Sequence, residues 1–467
     1  MTQRLDSCPT EILQLIFNIL SPTDYRSLCL VNHNLRAQAE PFLYSQIQWV
    51  WQEAQTPPPI IKLLRSVTVR PHLASYIKSI SLDGKSFCNG IYSKRIPTLV
   101  DLESETQIEE LTAFVRNTHL PYADRWIRDL VKGTIDAFVA LLVAQSSNIQ
   151  SLSLGPAFTQ RSEIIGMVLR TALCSSVETN LPTFPLLEDV SFHLRYREDR
   201  ARGNKIKNTA DVLPLFYLPA LRRLSVSIES SPAFSWPTLH PPLTTNLTEL
   251  DLTRVRENCL GGVLAATKNL RSLRWKWYYD FGLDDEVNKP IIDLDQIGAA
   301  LSHVGATLTD LCIVADFDIG GNDQCLPGIK AEGSIHKILN LVNVRKVQIP
   351  WAFLVGFVQD TSKRLIEVIP RNIEYLIITN DLRLQNYDGM EPSWPEWDWT
   401  DEAIVALLES WLRGWKECMP NLRGISLEWM DEGFEEWDPH MRQRLREVGA
   451  HFGVPLDLVV IRSAYAA

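Results

Sequence analysis

The sequence contains no C-x-x-C pair among its eight cysteines, and no histidine stands beside any of them at a zinc-ligand spacing. That absence excludes the common structural zinc sites. The cysteines, at positions 8, 29, 88, 174, 259, 312, 325 and 418, are scattered singly and read as small buried hydrophobes of a reducing compartment. No apolar run approaches the roughly 18 residues a membrane span needs. The stretch from Ile12 to Leu20 is broken by Gln14 and Asn18, with Pro9 and Glu11 where a basic leader would stand, so it does not read as a signal peptide. An intracellular, soluble protein, cytoplasmic and/or nuclear, is expected. Positive charge is also short: the net charge is −10, which argues against a broad grip on nucleic acid or anionic membrane. One basic stretch exists, Arg195, Arg197, Arg200, Arg202, Lys205 and Lys207, but Glu198, Asp199 and Gly203 interrupt it, and it reads as a solvated loop.

Catalytic signatures are missing as well. There is no G-x-x-x-x-G-K-S/T, no G-x-G-x-x-G after a strand, no G-x-S-x-G and no H-E-x-x-H. The run from Asp316 to Asp323 opens like a calcium loop, with Gly321 at its sixth position. Gly320 stands at the fifth position and Pro327 at the twelfth, where oxygen ligands are required. It reads as an acidic, glycine-rich turn. No catalytic residue, metal or cofactor is expected, and the chain is not expected to be an enzyme.

What the sequence does contain is the profile of a folded protein: 467 residues, 45% hydrophobic and 22% charged. That length exceeds one ordinary core, so a small module plus a larger body is expected. Over the first fifty residues, Ile12, Leu13, Ile16, Phe17 and Leu20 repeat with helical period. Pro9 suits a first helical turn and Glu11 complements the positive helix end. Ser21-Pro22-Thr23-Asp24 restarts the chain as a capping box, leading a second helix with Tyr25, Leu28, Cys29 and Val31. Asn32 caps a third, with Leu35, Ala39, Phe42 and Leu43 apolar. Three short helices rarely bury enough surface to stand alone, and five large apolar residues on the first exceed what they can cover. An exposed apolar face awaiting a partner is expected.

These residues resemble an F-box. Cys8-Pro9-Thr10-Glu11-Ile12-Leu13, then Ile16-Phe17, Leu20-Ser21, Asp24-Tyr25, Ser27-Leu28 and Leu30-Val31-Asn32 with Leu35 follow that family's Leu-Pro-x-Glu-Ile/Leu opening and its Leu-x-x-Val close. Two positions depart: Cys8 replaces a leucine, and His33 stands where a basic residue is common. The resemblance covers about a tenth of the chain; an unrelated helical cap on the following domain is the alternative. It implies a three-helix module docking on a Skp-type adaptor and through it a cullin. Pro9, Ile12, Leu13, Ile16, Phe17, Leu20, Leu28 and Val31 would supply the adaptor contacts or the core behind them.

Residues 1–48 are read as this module and 49–75 as a linker, with Trp49, Trp51, the stiffening Pro57-Pro58-Pro59 and the apolar Ile60, Ile61, Leu63 and Leu64. From 76 to 467 an apolar-x-x-apolar-x-apolar triplet recurs. It starts at Ile77, Ile149, Leu187, Leu221, Leu247, Leu270, Leu308, Val344, Ile373 and Leu422, with asparagine just before several, as at Asn246, Asn269, Asn372 and Asn421. This is the core of a leucine-rich repeat, whose closing pair lies on a short strand. Helical patterns such as Glu163 to Cys174, Asp124 to Val143 and Glu402 to Trp415 fill the intervals. The starts lie 23 to 72 residues apart, against about 20–29 in regular repeats, and the asparagine does not recur dependably. The expected fold class is α+β or α/β, an F-box followed by an irregular solenoid of strand–helix units; an ordinary α/β domain sharing the local pattern is the alternative.

Toward the C-terminus, Trp394, Trp397, Trp399, Trp411, Trp415, Trp429 and Trp437 are half of the 14 tryptophans and alternate with acidic residues. Trp394, Trp397 and Trp399 are candidate target contacts, or else the indoles fill the core of the last repeats. The resemblance as a whole implies a substrate receptor of a cullin–RING ubiquitin ligase, contributing proximity rather than chemistry. A scaffold acting without ubiquitination, or a small-ligand receptor in the repeat concavity, is the alternative.

Overall fold

The computed structural model describes residues 8–51, 58–84, 105–155, 158, 162–176, 179–192, 212–281, 286–318, 326–360, 364–387, 389, 392–431 and 437–462. The chain divides into two units, Met1–Asp199 with Ile206–Val226 and Arg200–Lys205 with Ser227–Ala467. The basic stretch at 195–207 lies outside the described residues, as do 319–325 of the calcium-like loop.

In the first unit the polar punctuation sets three helices. Pro9 precedes α1 (Thr10–Phe17). Ser21 caps α2 (Pro22–Val31) in a complete box: its hydroxyl accepts the Asp24 N–H at 3.3 Å, and the Asp24 carboxylate accepts the Ser21 N–H at 2.9 Å. Two otherwise orphaned donors are satisfied at once. Asn32 then caps α3 (His33–Ser45), accepting from the Leu35 N–H at 2.8 Å. Leu13, Phe17, Leu35 and Ala39 form the core, with Ile16, Leu20, Tyr25, Leu28 and Phe42 packed half-buried around it. Phe17 meets Tyr25 and Phe42 edge to face, and the Tyr25 hydroxyl donates to the Phe17 carbonyl.

α3 continues without a break into β1 (Gln46–Val50), which pairs in parallel with β2 (Ser79–Asp83). Between them Pro59 leads into α4 (Ile60–Val69), followed by a 3-10 turn over Pro71–Tyr76. The described residues of the stretch read as a linker, 49–51 and 58–75, therefore belong to the fold, and Trp51 is buried. Glu40 of α3 ties the joint, bound to Arg36 at 2.9 Å and to Arg70 at 2.8 Å. Next come α5 (Glu105–Asn117), α6 (Ala123–Val131) and α7 (Ile135–Gln145). Gly133, in the left-handed region at φ 73°, divides the last two, as only glycine does without strain. Then follow β3 (Ser151–Leu154), α8 (Glu163–Cys174), β4 (Asp189–Phe192) and β5 (Arg223–Ser227). β1 to β5 are parallel, and their order in the sheet is their order in the chain.

The second unit repeats the scheme. Its sheet runs β6 (Glu249–Thr253), β7 (Ser272–Asp280), β9 (Asp310–Asp318), β11 (Lys346–Pro350), β12 (Tyr375–Thr379), β13 (Gly424–Asp431) and β14 (Leu456–Arg462), all parallel and again in chain order. Helices α9 (Glu257–Leu264), α10 (Leu294–Ser302), α11 (Trp351–Val355), α12 (Asp401–Leu412), α13 (Trp415–Cys418) and α14 (Pro439–Phe452) fill the intervals. A small parallel pair, β8 (Ile291–Asp293) with β10 (Lys330–Glu332), stands apart from the main ladder.

Every residue of the ten triplets is buried, none more than 5% exposed. Their middle positions align across the strands: Ile80, Leu152, Val190 and Leu224 in the first unit, and Leu250, Leu273, Leu311, Val347, Leu376 and Ile425 in the second. Each such side chain is worth about 1.5–3 kcal/mol when taken from water, and it is covered by the same position of its neighbours.

Asparagine recurs more regularly than its sequence positions promised. The Asn269 side chain donates to the Thr245 carbonyl at 2.7 Å, Asn343 to Ala306 at 2.6 Å and Asn372 to Val342 at 2.6 Å. Thr307 makes the same bond to Lys268 at 3.0 Å, and Asn148 to Ser75 at 3.0 Å. In each case the residue just before a triplet bonds the carbonyl two residues before the preceding triplet, so threonine substitutes for asparagine without breaking the ladder.

Candidate functional site

The three-helix module separates its apolar residues by face. On α1, Leu13 and Phe17 point into the core and are fully buried. Ile12 and Leu15, at i and i+3, form a separate stripe that is 46% and 65% exposed, a spacing that puts them on one side of the helix; Ile19, just past the end of α1, is 84% exposed. At the end of α2, Leu30 and Val31 are 87% and 64% exposed. Such residues forfeit their burial energy in this structure.

The expected adaptor-contact set therefore divides. Leu13 and Phe17 fall on the core side of that division, packed with Leu35 and Ala39. Ile16, Leu20 and Leu28 are half-buried at its margin, while Pro9, Ile12 and Val31 face water. Leu15, Ile19 and Leu30 belong with the exposed set, although the motif did not single out the first two. A period-3.6 plot of α1 would have found Leu15, since it falls opposite the Leu13–Phe17 edge.

Charge frames this surface. Hydrogen bonds from the Ser21 hydroxyl and backbone hold the Asp24 carboxyl below the usual range. Burial pushes Glu40 up, but bonds from Arg36 and Arg70 outweigh it and leave its carboxyl below the usual range. Burial raises the Cys29 thiol, which makes it an unreactive packing group.

The tryptophan-rich stretch is built differently from an exposed contact surface. Trp399 is 8% exposed and donates its Nε1–H to the Gly356 carbonyl at 3.0 Å. Its ring meets Trp351 edge to face, and Trp397, Trp429 and Trp437 form a second edge-to-face chain. Trp411, Trp415, Trp429 and Trp437 are buried; Trp394 and Trp397 are half-buried. Trp399 is thus packed against Trp351 and the Gly356 backbone, with little of its ring left at the surface.

A polar site of another kind lies at the start of α9, where a cleft of about 510 Å³ is lined by Arg256, Glu257, Lys289 and Asp293 among others. Its floor is the buried Arg256–Glu257 pair, bonded at 3.0 Å through both carboxylate oxygens. Arg256 also donates to the Lys289 and Ile291 carbonyls and lies 4.5 Å over the Trp277 ring. Glu257 accepts from Trp277 Nε1 and the Asp293 N–H. Both charges are spent on holding β8 to α9, and such saturation is what a buried pair requires. Among the described residues no group of three or more His, Cys, Asp or Glu side chains is placed to hold a metal ion, and no helix is long and apolar enough to cross a membrane.

Compared with known proteins, the chain matches no family model and no curated protein sequence. Its class rests on its own architecture: a mixed α/β chain of parallel strands in chain order, led by a capped three-helix module.

Proposed function

We propose that this protein is a substrate receptor of a cullin–RING ubiquitin ligase, in which the module is an F-box and the strand ladders are leucine-rich-repeat-like units. The observation that carries the reading is the division of the module into a closed core and an uncovered apolar set, Ile12, Leu15, Ile19, Leu30 and Val31. A Skp-type adaptor is the partner that covers it. The ladders support the second half: strand order equal to chain order, buried triplets in register and side-chain bonds to the preceding unit are what stacked repeats require. A doubly wound α/β domain would instead reverse its strand order at a switch point.

In this mechanism the chain holds a target close to a ubiquitin-loaded enzyme and raises the effective concentration of its lysines. The direct joint from α3 to β1, braced by Glu40, Arg36 and Arg70, would transmit the adaptor's position to β1 without a flexible spacer. The test is affinity purification of the intact chain from cell extract beside the double variant Ile12→Asp, Val31→Asp, with mass spectrometry. Adaptor and cullin should accompany the intact chain and be lost with the variant. Their absence from both samples would end the F-box reading.

A further inference from the structure

β14 ends the ladder of the second unit with one of its edges open. It pairs in parallel with β13 from Ile425↔Leu456 to Asp431↔Arg462, and among the described residues no strand lies on its other side. The Ile425 N–H donates to the Pro455 carbonyl at 2.9 Å, which phases the pairing, because alternate residues of a parallel strand bond a given neighbour. Asp457, Val459 and Ile461 therefore turn their N–H and C=O groups toward β13. Those of Leu456, Leu458 and Val460 point to the free edge.

The side chains of the strand are equally unfinished. Leu456 is buried, but Leu458, opposite Leu427 in the closing position that is buried in all ten triplets, is only half-buried, and so is Val460. On the outer side Val459 and Ile461 are 46% and 41% exposed. Free edges are ordinarily guarded by lysine, proline or a bulge. From Leu456 to Ile461 there is no lysine, no proline and a single charge, Asp457, and the register with β13 runs without a bulge. What this edge lacks, in both backbone and side chains, is a strand with apolar residues at alternate positions.

We infer that the missing strand is β14 of a second copy of this chain, added antiparallel about a two-fold axis at Val459. The strand is its own complement in that register. Leu458 of each copy lies opposite Val460 of the other on the inner side, so the two incompletely covered positions cover one another. Val459 meets its equivalent on the outer side, and the open backbone groups of Leu456, Leu458 and Val460 all find partners. Asp457 stands opposite Ile461, and Arg462 opposite Leu456, so no like charges meet directly across the axis. Such a contact is isologous and closes at two copies. A seven-residue edge falls short of the roughly 1,200 Å² of a stable interface, so the dimer dissociates in the micromolar range.

The experiment is sedimentation velocity of the purified full-length chain between about 1 and about 100 μM. Wild type should pass from monomer to dimer over that range and go no further. Val460→Pro removes an N–H that points to the free edge and none that bonds β13. It should weaken dimerisation by about tenfold or more while the melting temperature of the dilute protein is kept. Position 461 tests the register, since it faces Asp457 of the other copy and the uncharged Met430 of its own β13. Ile461→Lys should dimerise about tenfold more tightly than Ile461→Asp, because two attractive pairs replace two repulsive ones. A monomer at every concentration, growth beyond the dimer, indifference to Val460→Pro, or equal association of the Lys and Asp variants would overturn the inference.

Discussion

In the three-helix module four side chains are buried, Leu13, Phe17, Leu35 and Ala39, while five large apolar ones, Ile12, Leu15, Ile19, Leu30 and Val31, face water. In the strand ladder of the second unit every triplet residue from Leu247 to Leu427 is buried, and the opposite side of the strands carries residues such as Arg274, Lys276, Asp310 and Lys346. The ladder satisfies its apolar surface internally, each unit covering the next. The module does not; its stability leans on caps and on the joint to β1. Where burial is complete, substitution costs stability. Where it is incomplete, the proposed function predicts that substitution costs binding.

The largest effect that can sharpen this contrast lies in the second unit. Arg256→Ala leaves Glu257 buried without its counter-charge and should cost about 3–5 kcal/mol, read from the denaturant midpoint. The double change Arg256→Met, Glu257→Leu should recover only part of that loss, because it removes the unpaired charge but orphans the Lys289 and Ile291 carbonyls and the Trp277 and Asp293 N–H groups.

Next in size is a contrast in pH. Asp381 accepts the Ala315 N–H at 2.7 Å, and desolvation pushes its carboxyl from 3.8 up to about 6, with Asp316 adding to the shift and the Ala315 and Thr379 bonds and Lys276 opposing it. A pKa raised on folding means the folded state binds the extra proton, so this group penalises folding above about pH 6 and the penalty fades as pH falls toward 4. Asp381→Asn keeps an acceptor for Ala315 and should stabilise the protein at pH 7 by an amount on the order of 1–3 kcal/mol, with no gain at pH 4. In the module the sign is opposite. Asp24 and Glu40 are held below their ordinary values, so their contribution is intact at neutral pH and is lost as pH falls below about 4.5. Amide exchange measured from pH 7 down to 5 should show β9 and β12 tightening while α1–α3 stay unchanged; uniform behaviour would break the contrast.

Smaller effects follow from single bonds. Ser21→Ala removes half of the capping box and should lower module stability by about 1 kcal/mol, visible as faster exchange in α2. Asn372→Ala removes one rung of the ladder, the bond to the Val342 carbonyl, and should cost about 0.5–1.5 kcal/mol in chemical denaturation.

Local signals were the legible ones. Ser21, Asp24 and Asn32 announced their helices because a cap acts within three residues. The triplets announced their strands because inward and outward positions alternate over a span read in one glance. Other features depend on what lies across the fold. Tyr44, Ile47 and Trp49 carry the same triplet spacing, and Ile47 and Trp49 sit opposite Ile80 and Leu82; the unit hides because Tyr44 also closes α3. β14 hides because Gly453, the left-handed cap of α14 at φ 72°, stands where the first apolar residue belongs. The asparagine ladder was half visible, since Thr307 does the same work under another letter. Buried and exposed residues of α1 could not be told apart by residue type: Leu13 and Leu15 are both leucines, and only their helical phase separates them. The tryptophans left two readings open for the same reason, since an indole among carboxylates looks alike whether it fills a core or a partner's pocket.

The central claim is that the open stripe of the module is an adaptor-binding surface, and the most direct measurement is the affinity of the purified full-length chain for a purified Skp-type adaptor. Wild type would be compared with Ile19→Asp, Leu30→Asp, two positions exposed enough that the folded state should change by less than about 0.5 kcal/mol. The account predicts a tight complex for the wild type, and a loss of roughly a hundredfold or more for the variant at unchanged melting temperature. No complex with the wild type, or equal affinity for both chains, would contradict it.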